Sequence, residues 1–138
     1  MTAPLDRPTR RLGGERGAVA VEFALVVPLL LIFLFSIVSV SRAFQVQATL
    51  TAAARESART MAIQNDLPAA RSAALAAASA ADVSLSSAQV SVSPTSCTGK
   101  PATQNITVTI TYSFQPTGDF AGGKSFTIES KAVLRCGG

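Results

Sequence analysis

Glu22 is the residue whose position most constrains the chemistry of this chain. It lies five residues after Gly17 and directly before an apolar run from Phe23 to Ser41, which carries no charge over 19 residues. As a helix this run would be roughly 28 Å long, close to the hydrocarbon thickness of a bilayer. A carboxylate beside a membrane segment is costly unless it stays at the interface or meets a cation. Cleavage after Gly17 would create such a cation, because the new ammonium of Ala18 would lie four residues from Glu22.

The segment from Gly17 to Phe23, behind its arginine-rich stretch, resembles the class III leader of type IV pilins and pseudopilins. In that family a dedicated membrane peptidase cleaves after the glycine, and the fifth residue of the mature chain is glutamate. The resemblance therefore implies that Gly17 precedes the scissile bond and that Ala18 becomes the mature N-terminus. It also implies that Glu22 is the family's assembly acid.

A narrower resemblance is carried by the sequence from Val21 to Leu30, which is similar to the opening of TadE-like proteins, minor pseudopilins of tight-adherence (Flp) pilus systems. The stretch from Ala53 to Arg59 is similar as well, and the one from Thr127 to Arg135 more weakly so. Phe23 stands where many Flp pilins have tyrosine and where TadE-like chains often have phenylalanine. The resemblance thus implies a minor pseudopilin. It implies as partners a prepilin peptidase, the major Flp pilin, other pseudopilins and the inner-membrane platform of the pilus machine.

Two interpretations of Glu22 stay open. In the first, its carboxylate neutralises the Ala18 ammonium of an adjacent subunit and fixes the register of the helix in a bundle, since buried ion pairs specify register better than they stabilise. In the second, Glu22 is an acid at the interface that extends toward water. The flanking Gly17, Phe23 and arginines favour the first interpretation.

The flanking charges predict the orientation of the apolar run. Four arginines precede it (Arg7, Arg10, Arg11 and Arg16), whereas only Arg42 follows closely. Because positive residues stay on the cytoplasmic side, we expect a single-pass protein of the cytoplasmic membrane with its N-terminus inside. The apolar run would then contact membrane lipid, and residues after about 42 would be outside the cell membrane or part of an extracellular pilus.

The composition argues against catalysis. The chain has no histidine, and its two cysteines alone cannot complete a zinc site. The basic residues are scattered, and tyrosine occurs only at position 112 with no tryptophan, which is not the pattern of a nucleic-acid binder. We therefore expect no enzyme activity, no cofactor or metal, no small-molecule substrate and no nucleic acid.

Cys97 and Cys136 both lie in the part of the chain predicted to be exported. An oxidising compartment favours a disulfide between them, which would hold two strand ends together. The alternative is a pair of free, buried thiols.

The periodicity of the sequence predicts an α+β fold, and the resemblance implies that this fold is pilin-like. After a processed, unstructured leader at 1–17, a helix would cross the membrane over 18–41 and continue, now amphipathic, over 42–63. Pro28 predicts a kink inside it. The exported domain, 42–138, would add a helix at 68–80 and three antiparallel strands at about 88–93, 104–114 and 125–135, with a glycine-rich loop at 116–123.

Two other classes of function remain. Ordinary signal peptidase could cut between Ala43 and Phe44 and release a secreted binding domain. Alternatively, the chain could stay uncut as a membrane-anchored binding or adhesive domain. The N-terminal residue of the mature protein separates all three possibilities.

Overall fold

The fold consists of two helices and one antiparallel sheet, as the α+β prediction requires. The computed structural model describes residues 14–116 and 122–137, with side chains from Gly17 onward. Along the chain the elements are α1 (Gly14–Gln64), α2 (Leu67–Ser79), β1 (Val90–Ser93), β2 (Asn105–Phe114) and β3 (Phe126–Arg135). A single 3₁₀ turn at Ser87–Gln89 precedes β1.

The long helix α1 begins at Gly14, earlier than the start near Ala18 that the sequence suggested. Residues 14–17 of the expected leader are therefore helical, and residues 1–13 lie outside the described part of the chain. A glycine inside a helix costs only about 1 kcal/mol relative to alanine. The helix formed by the residues after Gly17 can therefore continue back through Gly17 to Gly14. The division between two compact units of the chain falls inside α1, between Ile37 and Val38.

Asn65 ends α1 by taking a left-handed conformation, with φ 51°. Its N–H donates to the carbonyl oxygen of Met61 at 2.9 Å, as in a helix that closes with a left-handed residue. Asp66 then caps α2, because its carboxylate accepts a hydrogen bond from the N–H of Ala69 at 3.4 Å and Pro68 fits the first turn.

The core of the second unit is built from small helical side chains and branched strand side chains. The buried residues of α1 recur at steps of one, three and four positions, so they lie along one side of the helix. It comprises Leu50, Ala53, Ala54, Ser57, Ala58, Met61 and Ala62. From α2 only alanines are buried, at positions 70, 74 and 78, and the sheet adds Val90, Val92, Ile106, Val108, Ile110 and Ala132.

The sheet is a meander in the order β1-β2-β3, antiparallel throughout. Along β2, Ile106, Val108 and Ile110 are buried, whereas Asn105, Thr111 and Ser113 are exposed. An apolar face of β2 therefore alternates with a threonine-rich face. Ile110 pairs with Val90 on one side and with Ser130 on the other, so the buried face continues across all three strands.

Candidate functional site

The first turns of α1 hold the residues that the sequence predicts to act in processing and assembly. Gly17, Ala18, Glu22 and Phe23 are all helical and exposed. Ala18 and Glu22 are four residues apart, so they lie one above the other on the same face of α1. If Ala18 were the N-terminus, its ammonium would lie one turn from the Glu22 carboxylate.

Gly17 has no structural need to be glycine within this chain. A β-carbon added at this position would meet no atom within 4 Å, measured over the part of the chain that the structure describes. The helical backbone there also suits any residue with a side chain. A requirement for glycine at position 17 would therefore have to come from a molecule that binds this segment.

The apolar residues that follow Glu22 are exposed rather than packed into a core. Phe23 is 67% exposed and Phe33 68%, and none of the most apolar window of α1 is buried. By length and composition this helix could cross a membrane. Its Ser36 hydroxyl donates to the carbonyl oxygen of Ile32 at 2.8 Å, so this polar group is satisfied within the helix.

Pro28 lies inside α1 and has no N–H to donate to the carbonyl oxygen of Ala24. A neighbouring group can satisfy that oxygen in a bundle of membrane helices. A kink at Pro28 stays a prediction.

Cys97 and Cys136 form the expected disulfide, with their Cα atoms 5.7 Å apart. The sequence did not reveal the contact that holds the Cys97 loop in place. The Asn65 side chain accepts a hydrogen bond from the N–H of Cys97 and donates one to the Thr98 hydroxyl at 2.7 Å. The sequence offered one signal for this contact, an asparagine directly after a helix. Asparagine tolerates the left-handed conformation that ends α1.

A family model described as TadE-like protein matches residues 17–59. Residues 17–59 are TadE-like. The matched segment begins at the glycine of the predicted cleavage site and includes Glu22, the apolar run and the exported part of α1 as far as Arg59. Comparison with curated proteins and with solved structures found no match to the chain.

Over residues 17–59 the chain is similar to TadE-like proteins, and the apolar helix in this segment is long and apolar enough to cross a membrane once. Within residues 17–59, the stretch from Ala53 to Arg59 consists of one set of buried residues and one set of exposed residues. Ala53, Ala54, Ser57 and Ala58 are buried against the sheet, whereas Arg55, Glu56 and Arg59 are exposed. Among the described residues, no three His, Cys, Asp or Glu side chains form a group that could hold a metal ion.

Proposed function

We propose that this protein is a minor pseudopilin of a Tad (Flp) pilus, made as a prepilin and cleaved after Gly17 by a prepilin peptidase. One observation carries the proposal. The TadE-like match starts at Gly17, and the helix that follows it is apolar and exposed over 18–38, where Glu22 is the one charged residue. Such a surface is suited to lipid and to the helices of other subunits, not to the core of this chain.

Cleavage would require local opening of α1, since the Gly17–Ala18 bond lies within its first turns. Helix ends fray, and glycine lowers the cost of opening by about 1 kcal/mol relative to alanine. Hydrolysis then adds water across this peptide bond and leaves a carboxylate on Gly17 and an ammonium on Ala18. Among the described residues, no side chain lies within 4 Å of the Cβ position of Gly17, which supports access of a peptidase to this segment.

After cleavage, Glu22 would compensate the new positive charge as the helix enters a bundle of pilin helices. The partner of the Glu22 carboxylate is the Ala18 ammonium of an adjacent subunit. The ammonium of the chain's own Ala18, one turn away, competes for the same carboxylate. A buried pair of this kind adds little stability but penalises a helix that enters out of register, because a lone charge would then remain unpaired in lipid.

The protein would be anchored by its N-terminal helix in the cytoplasmic membrane, with the N-terminus inside and the second unit outside. Its partners would be the prepilin peptidase, the major Flp pilin, other pseudopilins and the inner-membrane platform. The arginine excess before the apolar run supports this orientation.

N-terminal sequencing of the purified protein, expressed with and without a prepilin peptidase, tests the proposal. We expect the peptidase to produce a chain that begins at Ala18. Gly17→Ala should block cleavage while α1 and the sheet remain intact, because the added methyl group meets no atom. Gly14→Ala, which adds the same group three residues upstream, is the matched control and should be cleaved normally.

Two results would contradict the proposal. A mature chain that begins at Phe44 would indicate ordinary signal peptidase and a secreted domain. A chain that remains uncut in the presence of an active peptidase would indicate a permanently anchored domain.

A further inference from the structure

One long edge of the sheet is open. β3 pairs with β2 on one side and has no strand on its other side within the described residues. The N–H of Cys136 donates to the carbonyl oxygen of Gln104 at 2.8 Å, which fixes the alternation of the antiparallel ladder. Even-numbered residues of β3 therefore bond to β2, and the N–H and C=O groups of odd-numbered residues point toward the open edge.

Part of this edge is already covered by α1. The Gln47 side-chain amide donates to the carbonyl oxygen of Glu129 at 3.4 Å, which agrees with the alternation. Beyond that point the outward backbone groups of Lys131, Val133 and Arg135 have no hydrogen-bond partner in the described part of the chain. An unpaired edge of this kind is a template for another extended segment.

A groove of about 900 Å³ lies between α1 and this part of β3. Its helix side comes from Ala52, Arg55, Glu56, Arg59 and Ile63, and its strand side from Lys131 to Leu134. Ile63 is 66% exposed and Val133 is 51% exposed, so apolar surface is available on both sides of the groove. All of these residues belong to the second unit of the chain.

The charge of the groove is predominantly positive. Arg55, Arg59 and Lys131 line it together with one acid, Glu56. All four side chains are exposed, and within residues 14–116 and 122–137 none of them takes part in an ion pair or a side-chain hydrogen bond. The groove therefore offers cations that are free to bind carboxylates of a ligand.

We propose that the β3 edge and this groove bind an extended, acidic segment of a second exported polypeptide, which adds a fourth strand to the sheet. Backbone hydrogen bonds to Lys131, Val133 and Arg135 would provide the pairing, as in β-strand addition generally. Arg55 and Arg59 would select carboxylates on the helix side of the added strand, and Val133 would contact apolar side chains on the opposite face of that strand, because successive side chains of a strand alternate between its faces. The proposal does not depend on cleavage after Gly17.

A second copy of the chain fits this edge less well. Antiparallel pairing of two β3 strands centred on Lys131 would place the two Lys131 side chains opposite each other, and like charges in that position are destabilising. Gln47 contacts Glu129 and Thr51 contacts Ser130, so α1 and β3 run in the same direction. An antiparallel pair of β3 strands would therefore place the exported parts of the two α1 helices in opposite directions.

The probe for this proposal is a nine-residue peptide that alternates valine with glutamate and carries a fluorescent label. Its binding to the full-length protein in detergent is measured by fluorescence anisotropy, and hydrogen exchange is followed at the amides of Lys131 and Val133. We expect saturable binding that weakens with salt, together with slower exchange at both amides. A peptide with lysine in place of glutamate, and one methylated on alternate backbone nitrogens, should not bind.

Variants of the edge separate strand addition from simple charge attraction. Val133→Pro removes an outward N–H without removing a bond to β2, a position where an edge strand tolerates proline. We expect it to abolish peptide binding while the far-ultraviolet circular dichroism is unchanged. Thr127→Pro, at the same edge but outside the groove, should bind normally. Arg59→Glu should weaken binding by about three- to tenfold, whereas Lys124→Glu, with the same change of charge, should alter it by less than about twofold.

The proposal is overturned if the methylated peptide binds as well as the unmodified one, or if Val133→Pro binds normally. It is also overturned if the two amides become protected without peptide as the protein concentration rises, because the occupant would then be a second copy. The N-terminal residue of the same protein is sequenced in parallel. Because that result does not depend on peptide binding, failure of this proposal is distinguished from failure of the cleavage proposal.

Discussion

At the scale of single residues, Glu22 is the side chain with the most specific predicted role. Replacing it with alanine removes the carboxylate but leaves an apolar helix that should insert into the membrane as before. We expect Glu22→Ala to remain in the membrane fraction and to disappear from sheared pili, because the Ala18 ammonium of its neighbour would enter lipid without a counter-charge. Immunoblots of both fractions measure the two properties separately.

Glu22→Asp is the matched control for this prediction. It keeps the charge on a side chain shorter by one methylene group, so partial incorporation is expected. If Glu22→Ala is incorporated normally, Glu22 is instead an acid at the interface with no partner in the filament.

Ser130 shows how a buried hydroxyl can be satisfied inside the core. The Thr51 hydroxyl donates to the carbonyl oxygen of Gln47 at 2.8 Å and lies 2.9 Å from the Ser130 hydroxyl. Since Thr51 has only one proton to give, Ser130 must be the donor between them. This bond joins α1 to β3 and satisfies a side chain that is only 3% exposed.

Thr51→Val should destabilise the protein because it leaves the Ser130 hydroxyl buried without an acceptor. We expect the free energy of unfolding to fall by about 1–3 kcal/mol, measured by urea denaturation in detergent. In the double variant Thr51→Val/Ser130→Ala much of this loss should be recovered, since both polar groups are then gone. If the two single effects simply add, the hydroxyls do not interact.

At the scale of elements, the disulfide holds the end of β3 to the turn that follows β1. It closes a loop with a sequence separation of 39. In the chain-entropy model such a loop contributes about 4 kcal/mol, mainly by restricting the unfolded chain. We expect Cys97→Ser/Cys136→Ser to lower the free energy of unfolding by about 3–4 kcal/mol.

Reduction provides the control for the disulfide prediction. A reducing agent should destabilise the native sequence by a similar amount and should have no effect on the double variant. Equal stability of the native protein with and without reductant would show that the bond does not constrain the unfolded state.

At the scale of the whole molecule, the periodic parts of the fold and the disulfide could be predicted from the sequence, whereas the other long-range contacts could not. The alternation along β2 and the stripe of small residues on α1 each follow from local spacing, so their buried faces were predictable. The start of α1 at Gly14 could not be predicted, since no residue marks the helix boundary strongly enough. Helix boundaries depend on small differences in free energy, which single residues rarely decide.

The candidate sites divide in the same way. Gly17, Ala18, Glu22 and Phe23 stand out in the sequence because their meaning comes from local spacing. The groove does not, because it requires Arg59 of α1 to lie near Leu134 of β3. The bond between Gln47 and Glu129 likewise joins residues 82 positions apart. Contacts of this kind depend on the register of the sheet, which the amino-acid pattern alone leaves undetermined.

The alanines that fill the buried faces of α1 and α2 reverse the usual sensitivity of a protein interior to substitution. Truncating a side chain normally does the most harm, but an alanine such as Ala74 has only a methyl group to lose. Enlarging it to leucine forces neighbouring backbones apart, at a cost of about 1–3 kcal/mol. Random mutagenesis of this domain should therefore tolerate glycine and serine at these positions better than bulky apolar residues, contrary to what hydrophobicity alone suggests.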